Sequence, residues 1–379
     1  MKRLVLFITV LCLLGAFTVP AAAAEVPAKS AVLMDVESGQ VLFEQNAHEP
    51  LPPASVTKVM TMLLIMEAID RGALSYDETV TVSEAAAAKG GSQVYLKVGE
   101  QMTVSDMLKA IAVSSANDCA CAMAEHLAGS EAAFVERMNA RAAELGMEHT
   151  HFVNCTGLDD DPDAKSHLTC AWDIGIMSRE LLSKHPDITK FTTIWMDTLR
   201  GGTFGLSNTN KLVRFYPGCT GLKTGFTSAA GYCLSASAQR DGLHLISVVM
   251  GCDTPKTRLS AVKGLLDMGF ATYASVQPQL PEGLAVPVKL GTAEFVTAVP
   301  AETGALLVEK GQKSAVTTEV ELTEQVSAPV SKGQQLGTVT VKVGQQVLRQ
   351  YPLVAADTVP KLTWGQLVWQ VLRQWCGGR

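Results

Sequence analysis

Thr220-Gly221-Leu222-Lys223-Thr224-Gly225-Phe226, followed by Gly231 to Ala238 and Leu243 to Met250, is the stretch that decides the fold. It reads as three successive strands. Arg240-Asp241-Gly242 joins the last two, and Asp-Gly between apolar runs is a hairpin signal. Downstream, Thr257 to Phe270 has helical apolar spacing. Upstream, Ser30 to Val36 and Gln40 to Glu44 alternate across Glu37-Ser38-Gly39, a second hairpin. Pro52 and Pro53 stop that extended chain.

Helices fill the interval. Val56 to Ile69 is apolar on nearly every side, which predicts a buried helix. Val104 to Gly129 and Ala132 to Leu145 have helical spacing, with Gly129 and Gly146 as stops. Phe152 to Ala171 is rich in Asp, Gly and Thr and reads as a loop, and Asp173 to Leu182 returns to helix. Two strands, then helices, then three strands predict an α+β domain. If the end strands meet, the product is a five-stranded antiparallel sheet flanked by helices.

The flanks differ in character. Lys2 and Arg3 precede an apolar run from Leu4 to Phe17, and Ala21 to Ala24 offers small residues. This predicts a secretory signal over residues 1–24, and hence an exported protein. The α+β domain is then expected over 25–275. From about Val276, Leu280 to Leu353 carries short Val/Thr-rich strands between Pro, Gly and Lys-Gly turns, expected to form a small all-β domain over 276–358.

The last segment, 359–379, is expected to be an amphipathic helix. Trp364, Leu367, Val368, Val371, Leu372 and Trp375 share one face, although Trp369 lies off it. Its only charged side chains, Lys361, Arg373 and Arg379, are all positive. This favours a helix lying on the outer face of the cytoplasmic membrane.

Composition excludes several classes. The chain has 379 residues, 47% hydrophobic and 18% charged, with a net charge of −6. It is globular, and it lacks the basic excess of a nucleic-acid binder. Its nine cysteines include no CxxC pair and no Cys/His cluster with zinc-site spacing. Small buried side chains are the default reading of those with apolar flanks.

Three short motifs carry chemistry. Ser55-Val56-Thr57-Lys58 opens the buried helix, and a spacing of three places Ser55 and Lys58 on one face. A free lysine is a poor base at neutral pH, but burial and neighbouring positive charge lower its pKa. The helix start aims backbone N–H groups at any oxyanion formed there. Ser115-Ala116-Asn117 lies in a polar interruption and can line a cleft wall. Lys223-Thr224-Gly225 sits on a strand whose ideal alternation separates Thr224 from Lys223 and Gly225. Gly225 admits a close backbone approach. Each motif alone also fits ordinary helix or strand polarity; the ordered set is far more specific.

With Pro53 to Lys58, Ser115 to Asp118, Gly221 to Gly225, the trailing β domain and the amphipathic end, the mature chain resembles the serine D-alanyl-D-alanine carboxypeptidases, the low-molecular-mass penicillin-binding proteins. The resemblance implies Ser55 as acyl-enzyme nucleophile, Lys58 as its general base and Ser115 as proton relay to the leaving D-alanine. It implies peptide binding by Asn117, and carboxylate binding by Lys223 and Thr224 beside Gly225, with Arg258 as a further candidate whose alternative is a surface helix residue. The backbone N–H groups of Ser55 and Phe226 would form the oxyanion hole. The implied partners are peptidoglycan pentapeptide and β-lactam antibiotics, with no nucleic acid, cofactor or metal.

Two departures stand out. Ala116 replaces a common glycine, and Asn208-Thr209-Asn210 replaces Asn-Arg-Asn. Glu136-Arg137-Met138-Asn139 mimics a class A β-lactamase pattern, but it lies on a regular helical run, and the loop Asp159 to Asp163 lacks a Glu. Slow deacylation of penicillin is therefore expected. A D,D-endopeptidase and a non-catalytic penicillin-binding sensor are the remaining alternatives.

Overall fold

The computed structural model describes residues 25–160, 162–302 and 304–376; the expected leader and Arg379 lie outside them. The strands are β1 (Ser30–Asp35), β2 (Val41–Gln45), β3 (Cys219–Thr227), β4 (Gly231–Arg240) and β5 (Leu243–Cys252). They form one sheet in the order β2-β1-β5-β4-β3. Every neighbouring pair is antiparallel. The two ends of the domain do meet: Ala31 pairs with Val249 and Val32 with Val248.

Alternation explains why β5 reads as a nearly continuous apolar run. Ile246, Val248 and Met250 enter one core, and Leu245 and Val249 enter the other. A strand buried on both faces needs apolar residues at both parities. The helices are α1 (Lys58–Asp70), α2 (Val104–Ser114), α3 (Asn117–Ala128), α4 (Glu131–Glu144), α5 (Ala171–Lys184) and α6 (Pro255–Thr272). α6 covers the core that holds Leu245, while α1 to α5 supply the other. The helix expected from Val56 begins as a 3-10 turn, Ala54–Thr57, that runs into α1. Arg141 on α4 binds Glu67 of α1 and Glu180 of α5, each at 2.7 Å, and ties three helices together.

The helical spacing from Val104 to Gly129 resolves into two helices. Ser115 breaks it with a left-handed backbone, φ 64°. The polar interruption seen in the sequence is therefore a corner. Phe152 to Cys170 is largely irregular, as its composition predicts, with a 3-10 turn at Pro162–Ser166.

Beyond α6, Tyr273–Val276 pairs with Leu306–Glu309. The boundary expected at 275/276 thus falls inside a strand that reaches into the second domain. That domain is a six-stranded sheet with its own core around Val286, Leu336, Val339 and Leu353. The chain continues into α7 (Trp364–Cys376).

Candidate active site

The Ser55 turn abuts the edge strand β3. Built on Gly225, a Cβ would lie 2.7 Å from the Pro53 carbonyl oxygen and 3.1 Å from the Val56 nitrogen. Only glycine permits this contact between strand and turn. Lys58 is fully buried at the start of α1. Its Nζ lies 3.0 Å from Ser55 Oγ and 2.7 Å from the Thr156 carbonyl oxygen. Burial pushes its pKa down to about 7, against the opposing pull of Cys155 and Asp118. A lysine in that range is substantially a free amine at neutral pH, able to take a proton from a hydroxyl at hydrogen-bond distance.

The second motif turns the corner between α2 and α3. Ser115 and Asn117 are both buried, at 4% and 1% exposure. Asn117 donates from Nδ2 to the Gly90 carbonyl at 2.8 Å, and its backbone N–H donates to the Ser92 carbonyl. Its Oδ1 is buried with no partner among the described residues. Such an orphaned acceptor is costly unless a ligand N–H reaches it. Asp118 holds the same wall: its carboxylate accepts the backbone N–H groups of Val94, Leu96 and Cys119.

The third motif lies on β3, which is a sheet edge. An edge strand leaves backbone N–H groups outside the ladder. Lys223 is buried, and its Nζ donates to the Thr224 carbonyl at 2.9 Å. Burial, then the charges of Lys58 and Arg258, hold its pKa well below the usual lysine range. Thr224 Oγ1 donates to Thr209 Oγ1 at 2.7 Å. Phe226 is about half exposed and stacks on Tyr232.

Arg258 is not a surface helix residue. It is 8% exposed, and its Nη1 donates to the carbonyls of Gly225 and Cys233. Its Nε has no partner among the described residues. The guanidinium therefore braces β3 beside the third motif.

Several contributors have weak sequence signals. The Thr156 carbonyl is a backbone group in an irregular loop, and no residue type marks it. Thr209 registers in the sequence only as an absent arginine, yet it binds Thr224. Its neighbours fix it there: Asn210 Nδ2 donates to the Gly221 carbonyl, and Asn208 Nδ2 to the Ile194 carbonyl. Cys119 and Cys121 are fully buried, and burial pushes the Cys119 thiol well up. Glu136 lies on the exposed side of α4.

The arrangement is that of an acyl-transfer site: a hydroxyl beside a neutralised amine, a helix start, an open strand edge and clustered basic side chains. Comparison with known proteins agrees. The family described as D-alanyl-D-alanine carboxypeptidase matches residues 17–254, and the one described as penicillin-binding protein 5, C-terminal domain, matches residues 281–361. D-alanyl-D-alanine carboxypeptidase DacF of Bacillus subtilis is 44% identical over 340 residues, which cover 88% of this chain and 86% of the relative. The structure of penicillin binding protein 5 from Haemophilus influenzae superposes with a TM-score of 0.75 at 30% identity, covering 89% of this chain and 99% of that one. Ampicillin-bound penicillin-binding protein D2 from Listeria monocytogenes gives a TM-score of 0.60 at 35% identity, over 65% of this chain and 99% of that one. The chain belongs to the D-alanyl-D-alanine carboxypeptidase family, the serine-type carboxypeptidases of penicillin-binding protein fold.

Proposed function

We propose that the protein hydrolyses the terminal D-alanyl-D-alanine bond of peptidoglycan pentapeptides through an acyl-Ser55 intermediate. The observation that carries this reading is the buried Lys58 amine, its pKa lowered to about 7, lying 3.0 Å from Ser55 Oγ. Lys58 takes the Ser55 proton as Oγ attacks the scissile carbonyl. The backbone N–H groups of Ser55 and Phe226 stabilise the oxyanion, a contribution worth about 10²–10³ in rate per donor. The C–N bond then breaks, and Ser115 relays a proton to the departing D-alanine amine. Water attacks the acyl-serine ester and releases the shortened peptide.

Binding follows from the same geometry. Asn117 Oδ1 is a buried acceptor awaiting an amide N–H. Lys223 and Thr224 hold the terminal carboxylate, and Arg258 reinforces the positive field there. A β-lactam carries the same carboxylate and a strained amide, and it acylates Ser55. Glu136 is exposed on α4, and the Asp118 carboxylate is engaged by three backbone N–H groups. Neither activates water, so the drug adduct persists. Removal of the terminal D-alanine limits the donors available for cross-linking.

The proposal extends to location. An exported chain would act at the outer face of the cytoplasmic membrane, held there by α7. Trp364 and Trp375 are 83% and 90% exposed, and Val368, Val371 and Leu372 are exposed with them. Among the described residues no helix is long and apolar enough to cross a membrane. Interfacial binding matches exposed Trp and Leu next to Lys361 and Arg373.

The test is intact mass after benzylpenicillin, with D-alanine release from a D-Ala-D-Ala peptide followed in parallel. A lasting one-drug adduct, absent from Ser55→Ala, together with D-alanine release is expected. An adduct without D-alanine release would favour an endopeptidase or a sensor, and rapid drug turnover a β-lactamase.

A further inference from the structure

His167 is 3% exposed and belongs to the irregular loop that follows α4. Its Nδ1 accepts the Val153 backbone N–H at 3.1 Å. An acceptor at Nδ1 requires the neutral ring with its proton on Nε2. Nε2 lies 2.8 Å from Thr57 Oγ1, so Nε2–H donates to that oxygen. Thr57 Oγ1 in turn donates to the Ala54 carbonyl at 2.8 Å. The directions of all three bonds are thereby set, from Val153 through His167 and Thr57 to Ala54.

The chain of bonds ends where the backbone is strained. Ala54 has φ +49°, a left-handed conformation unfavourable for a residue with a Cβ. It immediately precedes Ser55. The same loop closes on this turn from another side. A Cβ on Gly157 would lie 1.9 Å from the Ala54 oxygen and 2.7 Å from Thr57 Oγ1. One residue earlier, the Thr156 carbonyl receives Lys58 Nζ. The loop therefore touches both the base and the strained turn that presents the nucleophile.

We propose that His167 is a positioning residue for Ser55: acting through Thr57, its neutral Nε2–H form holds the Ala54 carbonyl and so keeps the strained turn closed. The proposal rests on Ser55 being the acylated residue. Protonation of His167 would put a hydrogen on Nδ1, facing the Val153 N–H, and break the relay at its first bond. The ionisable groups that act on His167 are His151 and Lys58. Burial first, then those two, lower its pKa to about 4, so the relay is intact at neutral pH.

The test uses the full chain and an acid-stable cephalosporin. Acylation rate constants and the dissociation constant of the preceding non-covalent complex are measured for wild type, Thr57→Val, Thr57→Ser and His167→Gln. Thr57→Val keeps the shape and removes both bonds. It is expected to slow acylation about 10- to 100-fold while leaving the dissociation constant within about twofold, the signature of a misplaced nucleophile. Thr57→Ser restores the hydroxyl, and His167→Gln keeps an N–H donor at the ε position. Both should acylate within about threefold of wild type at pH 7.

The pH profile gives a second readout. In wild type, log rate should fall with slope one below about pH 7 and approach slope two below about pH 4. His167→Gln should keep slope one throughout. This readout also decides the matter if Thr57→Val fails to fold. Unchanged acylation in Thr57→Val, equal loss in Thr57→Ser, or the same acid limb in wild type and His167→Gln would each overturn the proposal. A wild type that takes up no drug would overturn the Ser55 reading and this proposal with it. A wild type that acylates normally beside an unaffected Thr57→Val overturns the relay alone.

Discussion

Lys58 concentrates the chemistry in one side chain. Its amine is the reactive form, and the fraction of amine rises as pH rises through about 7. Acylation should therefore increase about tenfold per pH unit below that point and level above it. Stopped-flow acylation between pH 5 and 9 checks this, and a flat profile would remove Lys58 from the base role. Burial that activates the lysine also costs stability. Its pKa is about 7 folded against 10.5 for the free side chain. Between those values the unfolded chain binds the extra proton, so this group's contribution to stability rises with pH from about 7 to 10.5. Below pH 7 the full penalty applies, on the order of 4–5 kcal/mol. Lys58→Met should abolish acylation yet raise the melting temperature at pH 7, with the gain shrinking toward pH 10. A variant that melts lower than wild type at pH 7 would contradict the desolvation argument.

At the scale of elements, the site is a junction between a 3-10 turn, a helix corner and a sheet edge. Gly225 sets the closest approach. The Pro53 oxygen and Val56 nitrogen that a Cβ would meet are backbone atoms, which cannot rotate away. Gly225→Ala should displace the Ser55 turn or the strand by several tenths of an ångström. A loss in acylation rate of about 10- to 100-fold is expected, with the dissociation constant of the non-covalent complex less affected. Acylation within twofold of wild type would show that the junction relaxes freely. The helix corner is harder to read. Apolar spacing from Val104 to Gly129 is continuous enough to suggest one helix, and Ser114 to Asp118 registers only as polarity. The left-handed Ser115 that turns this polarity into a cleft wall has no signature in residue type, since serine rarely marks that conformation.

At the scale of the whole molecule, the proposed membrane attachment lies apart from the chemistry. The second domain has its own core, and α7 exposes its apolar side chains at the end of the chain. Deletion of residues 364–379 should leave acylation within about twofold, because none of the site's residues lies there, and should abolish co-sedimentation with anionic lipid vesicles. Vesicle binding that survives the deletion would move the attachment site elsewhere. Salt should weaken binding only in part, because Lys361 and Arg373 contribute electrostatically while the tryptophans do not.

Residue order alone determined the α+β class, the succession of strands around a helical middle, and the three motifs whose sequence names the chemistry. These are legible because periodicity and turn chemistry are local, and because S-x-x-K, S-x-N and K-T-G rarely occur together in order by chance. Tertiary structure decided the rest. It decided between the two readings of Arg258, placing it as a buried brace against β3, put Thr209 against Thr224, and aimed the Thr156 carbonyl at Lys58. It also joined His167 to Thr57, 110 positions earlier in the chain. The physical reason is common to all four. Each depends on a backbone carbonyl or a polar side chain meeting a partner far away in sequence, and on burial that no single residue reports. The pKa of Lys58 is the clearest case: its value of about 7 belongs to the packing around it, not to the motif.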